Sequence, residues 1–283
     1  MFKFPDIFRF EIGIYVEKFV EWLTDNFSVL FDSIKEGVLW FLLMIQDVLI
    51  KIPWFAIVIL IIVLGWKSRS LKSGLTYGFM IFLIGAFGLW DDMMLTLAIV
   101  LTSVIISLIL GIPLGILIAY KRKAEAIVKP ILDAMQTMPS FVYLIPAIML
   151  FGLGTVPAVF ATTIYALPPV IRLTSLAIKR VSKEMVEAAH SFGSSTWQTL
   201  IKVELPQALP TIMAGINQTT MMAMSMVVVT SMIGAKGLGR NVLVAINRID
   251  IAMGFEAGIS IVFLAIIIDR LTQGIADRFK YPE

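Results

Sequence analysis

Apolar residues along this chain fall into two patterns. In the first, Ile12, Val16, Phe19, Val20, Leu23, Phe27, Leu30 and Phe31 recur at helical spacing, while Glu17, Lys18, Glu21 and Asp25 fall on the other side. This predicts an amphipathic helix lying in a membrane interface or against a neighbouring helix. Its polar face is mostly acidic, which argues against recognition of anionic lipid. Residues 1–32 do not read as a signal peptide, because Asp6, Glu11, Glu17, Glu21, Asp25 and Asp32 leave no uninterrupted apolar core.

The second pattern is a series of apolar runs. A helix needs about 20 mainly apolar residues to cross the hydrocarbon layer. Residues 95–120 exceed that length, and 53–66, 75–90, 209–233 and 255–268 are strongly apolar. Residues 140–153 and 156–171 are shorter and interrupted by proline, and 34–52 is ambiguous because it carries Lys35, Glu36, Gln46 and Asp47. The pattern predicts an all-α membrane protein, a polytopic helical bundle of seven or eight spans. Its expected divisions are an N-terminal interfacial helix (1–33), N-terminal membrane helices (34–90), a transmembrane domain (91–272) and a C-terminal tail (273–283).

Composition agrees. Of 283 residues, 59% are hydrophobic and 15% charged, which excludes an ordinary soluble enzyme, since so few charges would leave large apolar patches exposed. There is no cysteine, hence no disulfide, thiolate metal site or thiol nucleophile, and the single histidine, His190, excludes a multi-histidine metal site. The net charge of +3 contains no basic tract of the kind that binds nucleic acid.

Charge placement orients the spans. Lys67, Arg69 and Lys72 share one loop, Lys121, Arg122, Lys123 and Lys129 a second, and Lys179, Arg180, Lys183 and Lys202 a third, with Arg278 and Lys280 at the C-terminus. Helix alternation puts all four on one side, the cytoplasm by the positive-inside rule. Lys236, Arg240 and Arg248, in the last outer segment, run against it.

One region breaks the apolar pattern. Residues 179–207 are polar and rich in helix formers. They predict a helix over 183–192, a break at Gly193, a second helix from Ser195 or Thr196, and re-entry into the membrane at Leu205-Pro206 and Leu209-Pro210. Glu187-Ala188-Ala189, three residues, Gly193, nine residues, Val203, one residue, Leu205-Pro206 resembles the EAA loop of ABC importer permeases, with valine where isoleucine is usual. In that family the loop is a coupling helix that docks on an ATPase subunit. Small alanines permit close approach, glycine permits the turn, and a carboxylate near the helix start can bond partner groups.

Further blocks are similar to glycine betaine/proline betaine permeases: 137–146, 149–154, 166–174, 210–219 and 268–273. The resemblance implies a type I ABC importer permease in a bacterial plasma membrane, with coupling loop and C-terminus cytoplasmic. It implies four partners: the bilayer, a second permease copy (a homodimer), a cytoplasmic ATP-binding subunit, and an extracytoplasmic solute-binding protein, since the chain ends soon after its last span. No cofactor is expected in this chain. It has no G-x-x-x-x-G-K-[ST] motif, so ATP and Mg belong to the partner ATPase, and no catalytic or metal residues are expected.

Polar residues within spans are the candidate pathway, because burying them costs free energy: Gln136, Thr137, Asn217, Gln218, Thr219, Thr220 and Ser225, beside the flexible Met222. Interhelical hydrogen bonding is the alternative use. Tyr143, Phe151, Phe160 and Tyr165 are candidate aromatics for a quaternary ammonium, with interfacial packing as their alternative. Gly111, Pro113 and Gly115 serve either motion or close helix packing. Two rival readings are a different cargo, such as an amino acid or oxyanion, and a secondary transporter driven by an ion gradient. The EAA loop and the lack of a buried carboxylate in the central spans weigh against the latter.

Overall fold

The computed structural model describes residues 11–277. The first ten residues of the expected N-terminal segment, and Arg278 and Lys280 of the expected tail, lie outside them. Thirteen α-helices make up the described chain, with no strand among the described residues. They are α1 (Ile12–Asn26), α2 (Ser28–Lys51), α3 (Trp54–Ser68), α4 (Leu71–Ala86), α5 (Trp90–Tyr120), α6 (Arg122–Thr137), α7 (Leu144–Phe151), α8 (Thr155–Lys179), α9 (Lys183–Ser191), α10 (Thr196–Thr199), α11 (Leu205–Ser231), α12 (Leu238–Arg248) and α13 (Ile251–Asp277).

The membrane-spanning character expected from the apolar runs is present. Four helical stretches are long and apolar enough to cross a bilayer: α5, α8, residues 196–231 and α13. Two more candidates are bent pairs, α2 with α3 at 95° and α6 with the 140–151 segment at 115°, and α4 is a shorter apolar helix. The ambiguous 34–52 run thus lies in α2, which ends at Lys51 before the chain turns sharply through Ile52-Pro53 into α3. Residues 140–153 form a 3-10 turn (Ser140–Tyr143) and the eight-residue α7, too short to cross alone. Gly152 and Gly154, at φ 78° and 128°, then reverse the chain.

Prolines do not interrupt α8. Pro168 and Pro169 lie buried inside 25 continuous helical residues, because α5 and α11 clamp this helix from two sides. The α5–α8 contact is the most extensive in the fold. Its α5 side is a ladder of small residues at four-residue spacing: Ser103, Ser107, Gly111 and Gly115. Ser103 Oγ donates to the Val159 carbonyl at 3.3 Å and Ser107 Oγ to the Thr163 carbonyl at 3.2 Å. A Cβ on Gly111 would run into Val170 Cγ1, and one on Gly115 would lie 2.8 Å from the Ile171 carbonyl oxygen. Helix α5 is continuous through Pro113, so these glycines serve close packing, as small residues do where helices associate in lipid.

The two ends of the bundle are tied differently. At one end, Leu238 N donates to Thr96 Oγ1 at 2.9 Å, Asn241 Nδ2 to Asp92 Oδ2 at 2.6 Å, and Gly154 N to the Ile233 carbonyl at 2.8 Å. Lys236, Arg240 and Arg248 stand exposed beside this end. At the other end, Ile112, Ile116 and Ala119 of α5 pack with Ala177 and Ile178 of α8 and with Leu200, Leu205, Ala208 and Ile212 leading into and along α11. Here α6 is strapped to α8 by Lys179–Glu125 at 2.6 Å and by Arg172–Asp133. Helix α1 buries none of its residues; near the start of α2, Phe31 meets Phe151 edge-on at 6.0 Å.

The seam yields a stability prediction. Gly115→Ala pushes a methyl against a backbone carbonyl that cannot rotate away, and overpacking of this kind costs about 1–3 kcal/mol. Gly37→Ala, in α2 with nothing within 4 Å of the added atom, is the control and is neutral or stabilising. Thermal unfolding in detergent should rank Gly115→Ala clearly below both the parent and Gly37→Ala; equal midpoints would contradict the packing role.

Candidate functional site

The polar segment between α8 and α11 is a compact helix–turn–helix. Helix α9 ends at Ser191, and Gly193 adopts φ 82°, a left-handed conformation that glycine takes without steric penalty. Its amide donates to the His190 carbonyl at 2.9 Å, and the Ser194 amide to the Ala189 carbonyl at 3.1 Å. Ser194 Oγ adds a bond to the same Ala189 carbonyl at 2.7 Å and meets Thr199 Oγ1 at 2.8 Å. Helix α10 starts with a reciprocal capping box: Ser195 N donates to Gln198 Oε1 at 2.9 Å, and Gln198 N to Ser195 Oγ at 3.3 Å. The break at Gly193 and the start at Thr196 coincide with the expectations from sequence.

The re-entry at Leu205-Pro206 differs. The chain does not break there; it widens into five residues of π-helix, Leu200–Glu204, and continues as α11. Pro206 has no N–H for the carbonyl four residues earlier, and the wide turn absorbs the defect. Glu187 and Ala188 are exposed and Ala189 is half-buried, while Leu205 and Pro206 are half-buried at the base. The acidic residue in the first turn of α9 is Glu184 rather than Glu187. Gln207 Nε2 reaches Met185 Sδ at 3.1 Å and ties α9 to α11.

The segment presents a feature that sequence reading passed over. Phe192 is 93% exposed and Trp197 68%, and Met185 and Ile201 are also exposed. Such large exposed apolar side chains on a polar surface loop are of the kind found at protein–protein contacts. Their residue types alone did not distinguish them from packing residues; their exposure is decided by the fold.

The candidate pathway residues divide. Asn217 and Gln218 line a cavity of about 560 Å³ between α11 and α13, with Pro210, Met213, Met221 and Gln273. Asn217 Nδ2 donates to Asp269 Oδ1 at 2.9 Å, and Gln273 Nε2 to the same atom at 2.7 Å. Thr219 is buried, and neither its hydroxyl nor Asn217 Oδ1 has a hydrogen-bond partner among the described residues. Thr220 and Ser225 bond carbonyls of their own helix, those of Ile216 at 2.8 Å and Met222 at 2.7 Å. Met222 packs against the core. Gln136 and Thr137 are exposed at the end of α6, and the buried Tyr143 donates to the Met135 carbonyl.

The aromatics pair with one another. Tyr143 meets Tyr165 edge-on at 5.5 Å, and Phe151 stacks on Phe160 at 4.0 Å. Rings satisfied in this way are packing elements. Asp269, with its side chain 21% exposed, adds a half-buried carboxylate beside these residues. It lies just past the apolar run 255–268, so only the continuation of α13 to Asp277 and its contact with α11 bring it beside Asn217. Asp269 and Gln273, one helical turn apart, were the available signal. Among the described residues no group of three or more His, Cys, Asp or Glu side chains is placed to hold a metal.

Known proteins resemble this arrangement. The sequence profile described as "Binding-protein-dependent transport system inner membrane component" matches residues 111–281. The chain is 47% identical over 274 residues to the glycine betaine transport system permease protein OpuAB of Bacillus subtilis (strain 168), covering 96% of each. It is 45% identical over 261 residues to the glycine betaine/proline betaine transport system permease protein ProW of Escherichia coli (strain K12), covering 92% of this chain and 74% of that one. It is 46% identical over 284 residues to the glycine betaine/carnitine transport permease protein GbuB of Listeria monocytogenes serotype 1/2a (strain 10403S), covering 98% and 99%. In fold it resembles the inward-facing MetNI methionine ABC transporter in its CY5 native crystal form, with TM-score 0.61 at 22% identity over 71% of this chain and 98% of that one. The all-α permease architecture and the match over more than half its length place the chain in the family of binding-protein-dependent transport system inner membrane components.

Proposed function

We propose that this chain is the permease subunit of an ATP-driven importer that takes up glycine betaine or a related quaternary ammonium osmoprotectant by alternating access. The observation that carries the coupling is the rigid helix–turn–helix at 183–199, which holds Phe192 out at 93% exposure between two capped turns. A projecting aromatic at the tip of a braced loop is the shape of an anchor for a partner's groove. In this reading Glu187, Ala188, Ala189 and Gly193 dock on a separate ATPase, which holds ATP and Mg, while Leu205 and Pro206 carry the motion into α11. The cargo class is supported by the three relatives at 45–47% identity, whose names carry glycine betaine.

The cationic loops support a cytoplasmic coupling loop and C-terminus in a bacterial plasma membrane. The opposite end of the bundle then receives solute from an extracytoplasmic binding protein. Two copies of the chain form the pathway. Asn217 and Gln218 line it on α11, next to the buried Thr219, with Thr220, Met222 and Ser225 further along that helix and Gln136 and Thr137 at its margin. The Asn217–Asp269–Gln273 bonds fix the Asn217 amide where α11 meets α13, and its buried oxygen has no hydrogen-bond partner among the described residues. High-affinity recognition lies with the binding protein, so the permease needs only a weak, transient site.

Two measurements test this. Phe192→Ala should weaken ATPase association roughly thirtyfold, the effect of losing about 2 kcal/mol at an interface anchor, and Gly193→Val, which forces a β-branched residue into the left-handed region at about 1–2 kcal/mol, should abolish solute-stimulated ATPase. Retention of both activities in reconstituted liposomes would refute the coupling assignment. Second, labelled glycine betaine uptake should be competed by proline betaine, choline or carnitine and not by methionine, and Asn217→Ala should lower its maximal rate while copurification of the ATPase stays intact. Competition by methionine instead would move the cargo to another class.

A further inference from the structure

Glu204 is the one buried charged side chain among the described residues, at 6% exposure. A carboxylate out of water is costly unless a donor compensates it. Its side-chain partner is Tyr120, whose hydroxyl donates to Glu204 Oε2. The two residues are 84 positions apart and occupy telling places. Glu204 ends the π-helical turn joining the exposed loop to α11, and Tyr120 is the last residue of α5.

The surroundings explain why this bond matters. A π-turn is wide and poorly stabilised, so a push on the loop would be absorbed there unless something stiff crossed it. Apolar contacts do cross it: Leu200 and Leu205 pack with Ile112, Ile116 and Ala119 of α5. Hydrophobic contact is non-directional and does not by itself fix one alignment of the elements. The Tyr120–Glu204 bond is directional, and opening it would leave a buried charge uncompensated, so it holds as the elements move. From Tyr120 the strain has a closed path: α5 turns at Lys121 into α6, which Glu125 and Asp133 tie back to Lys179 and Arg172 of α8. Helix α8 is the other strand entering the loop.

We propose that Tyr120 and Glu204 are a positioning pair that delivers displacement of the coupling loop to α5, and so to the α5–α8 seam. The proposal rests on the transport reading above. The test reconstitutes the full complex, with ATPase and binding protein, in liposomes and measures ATP hydrolysed per labelled glycine betaine imported. Tyr120→Phe and Glu204→Leu should each raise that ratio about tenfold, the factor set by one hydrogen bond to a charged group. Glu204→Gln keeps an oxygen acceptor for the tyrosine and should stay near the parent ratio. The Tyr120→Phe/Glu204→Leu double variant should be no worse than Glu204→Leu alone.

Ile116→Ala, a packing change in the same cluster, should lower thermal stability without changing the ratio. A parent-like ratio in Tyr120→Phe overturns the pair. So does a ratio that follows thermal stability across all variants, Ile116→Ala included, since that is a purely structural role. Should Glu204→Leu fail to assemble, Tyr120→Phe, which removes a single hydroxyl, decides the matter. Absence of ATP-dependent uptake by the parent complex would refute the transport reading itself, and the pair with it.

Discussion

The close approach of α5 and α8 is the constraint on which the rest of the architecture depends. In lipid there is little hydrophobic gain in bringing two apolar helices together, so association relies on van der Waals contact and interhelical hydrogen bonds. The Ser103, Ser107, Gly111 and Gly115 ladder supplies both. The serine hydroxyls, bonded at 2.8 Å to carbonyls of their own helix, are shared with α8 carbonyls at 3.2–3.3 Å, and the glycines remove the atoms that would hold the backbones apart. With α8 seated there, α11 closes on its other side, and the three helices define where the exposed loop leaves and re-enters the bundle.

The loop shows why a polar insertion in a membrane protein need not be flexible. Each turn is closed by short-range bonds: Gly193 and Ser194 back to α9, and Ser195 with Gln198 at the start of α10. Stiffness in the loop and width in the π-turn at its base are complementary. The first keeps Phe192 and Trp197 projecting; the second accommodates Pro206 without breaking the helix. In the proposed coupling role, 183–199 is the arm and the π-turn at 200–204 the pivot.

Much of this was legible in sequence, for identifiable reasons. Helical periodicity and apolar run length reported the α-helical membrane class, because spanning a bilayer is a one-dimensional requirement on consecutive residues. The loop's break at Gly193 was legible because a tight reversal needs glycine there. Segment lengths were less so. Pro139 does accompany a bend, whereas Pro146 sits within α7 and Pro168 and Pro169 inside an unbroken α8. Proline's local penalty is the same in both places, and the packing around it differs. The fourfold spacing of Ser103, Ser107, Gly111 and Gly115 was visible as well, but a small-residue stripe acquires meaning only with a partner helix.

The sequence by itself determined what each stretch could be: apolar and long enough to cross, polar and glycine-broken enough to turn, and free of residues for thiol or multi-histidine chemistry. Those are properties of neighbours along the chain. Tertiary structure decided which distant residues meet. It brought Asp269 beside Asn217, paired the aromatics with one another, put Glu204 in the dark against Tyr120, and left Phe192 in the open. The physical reason is that burial and hydrogen bonding depend on what lies across a helix interface, and helical periodicity names the face without naming its partner.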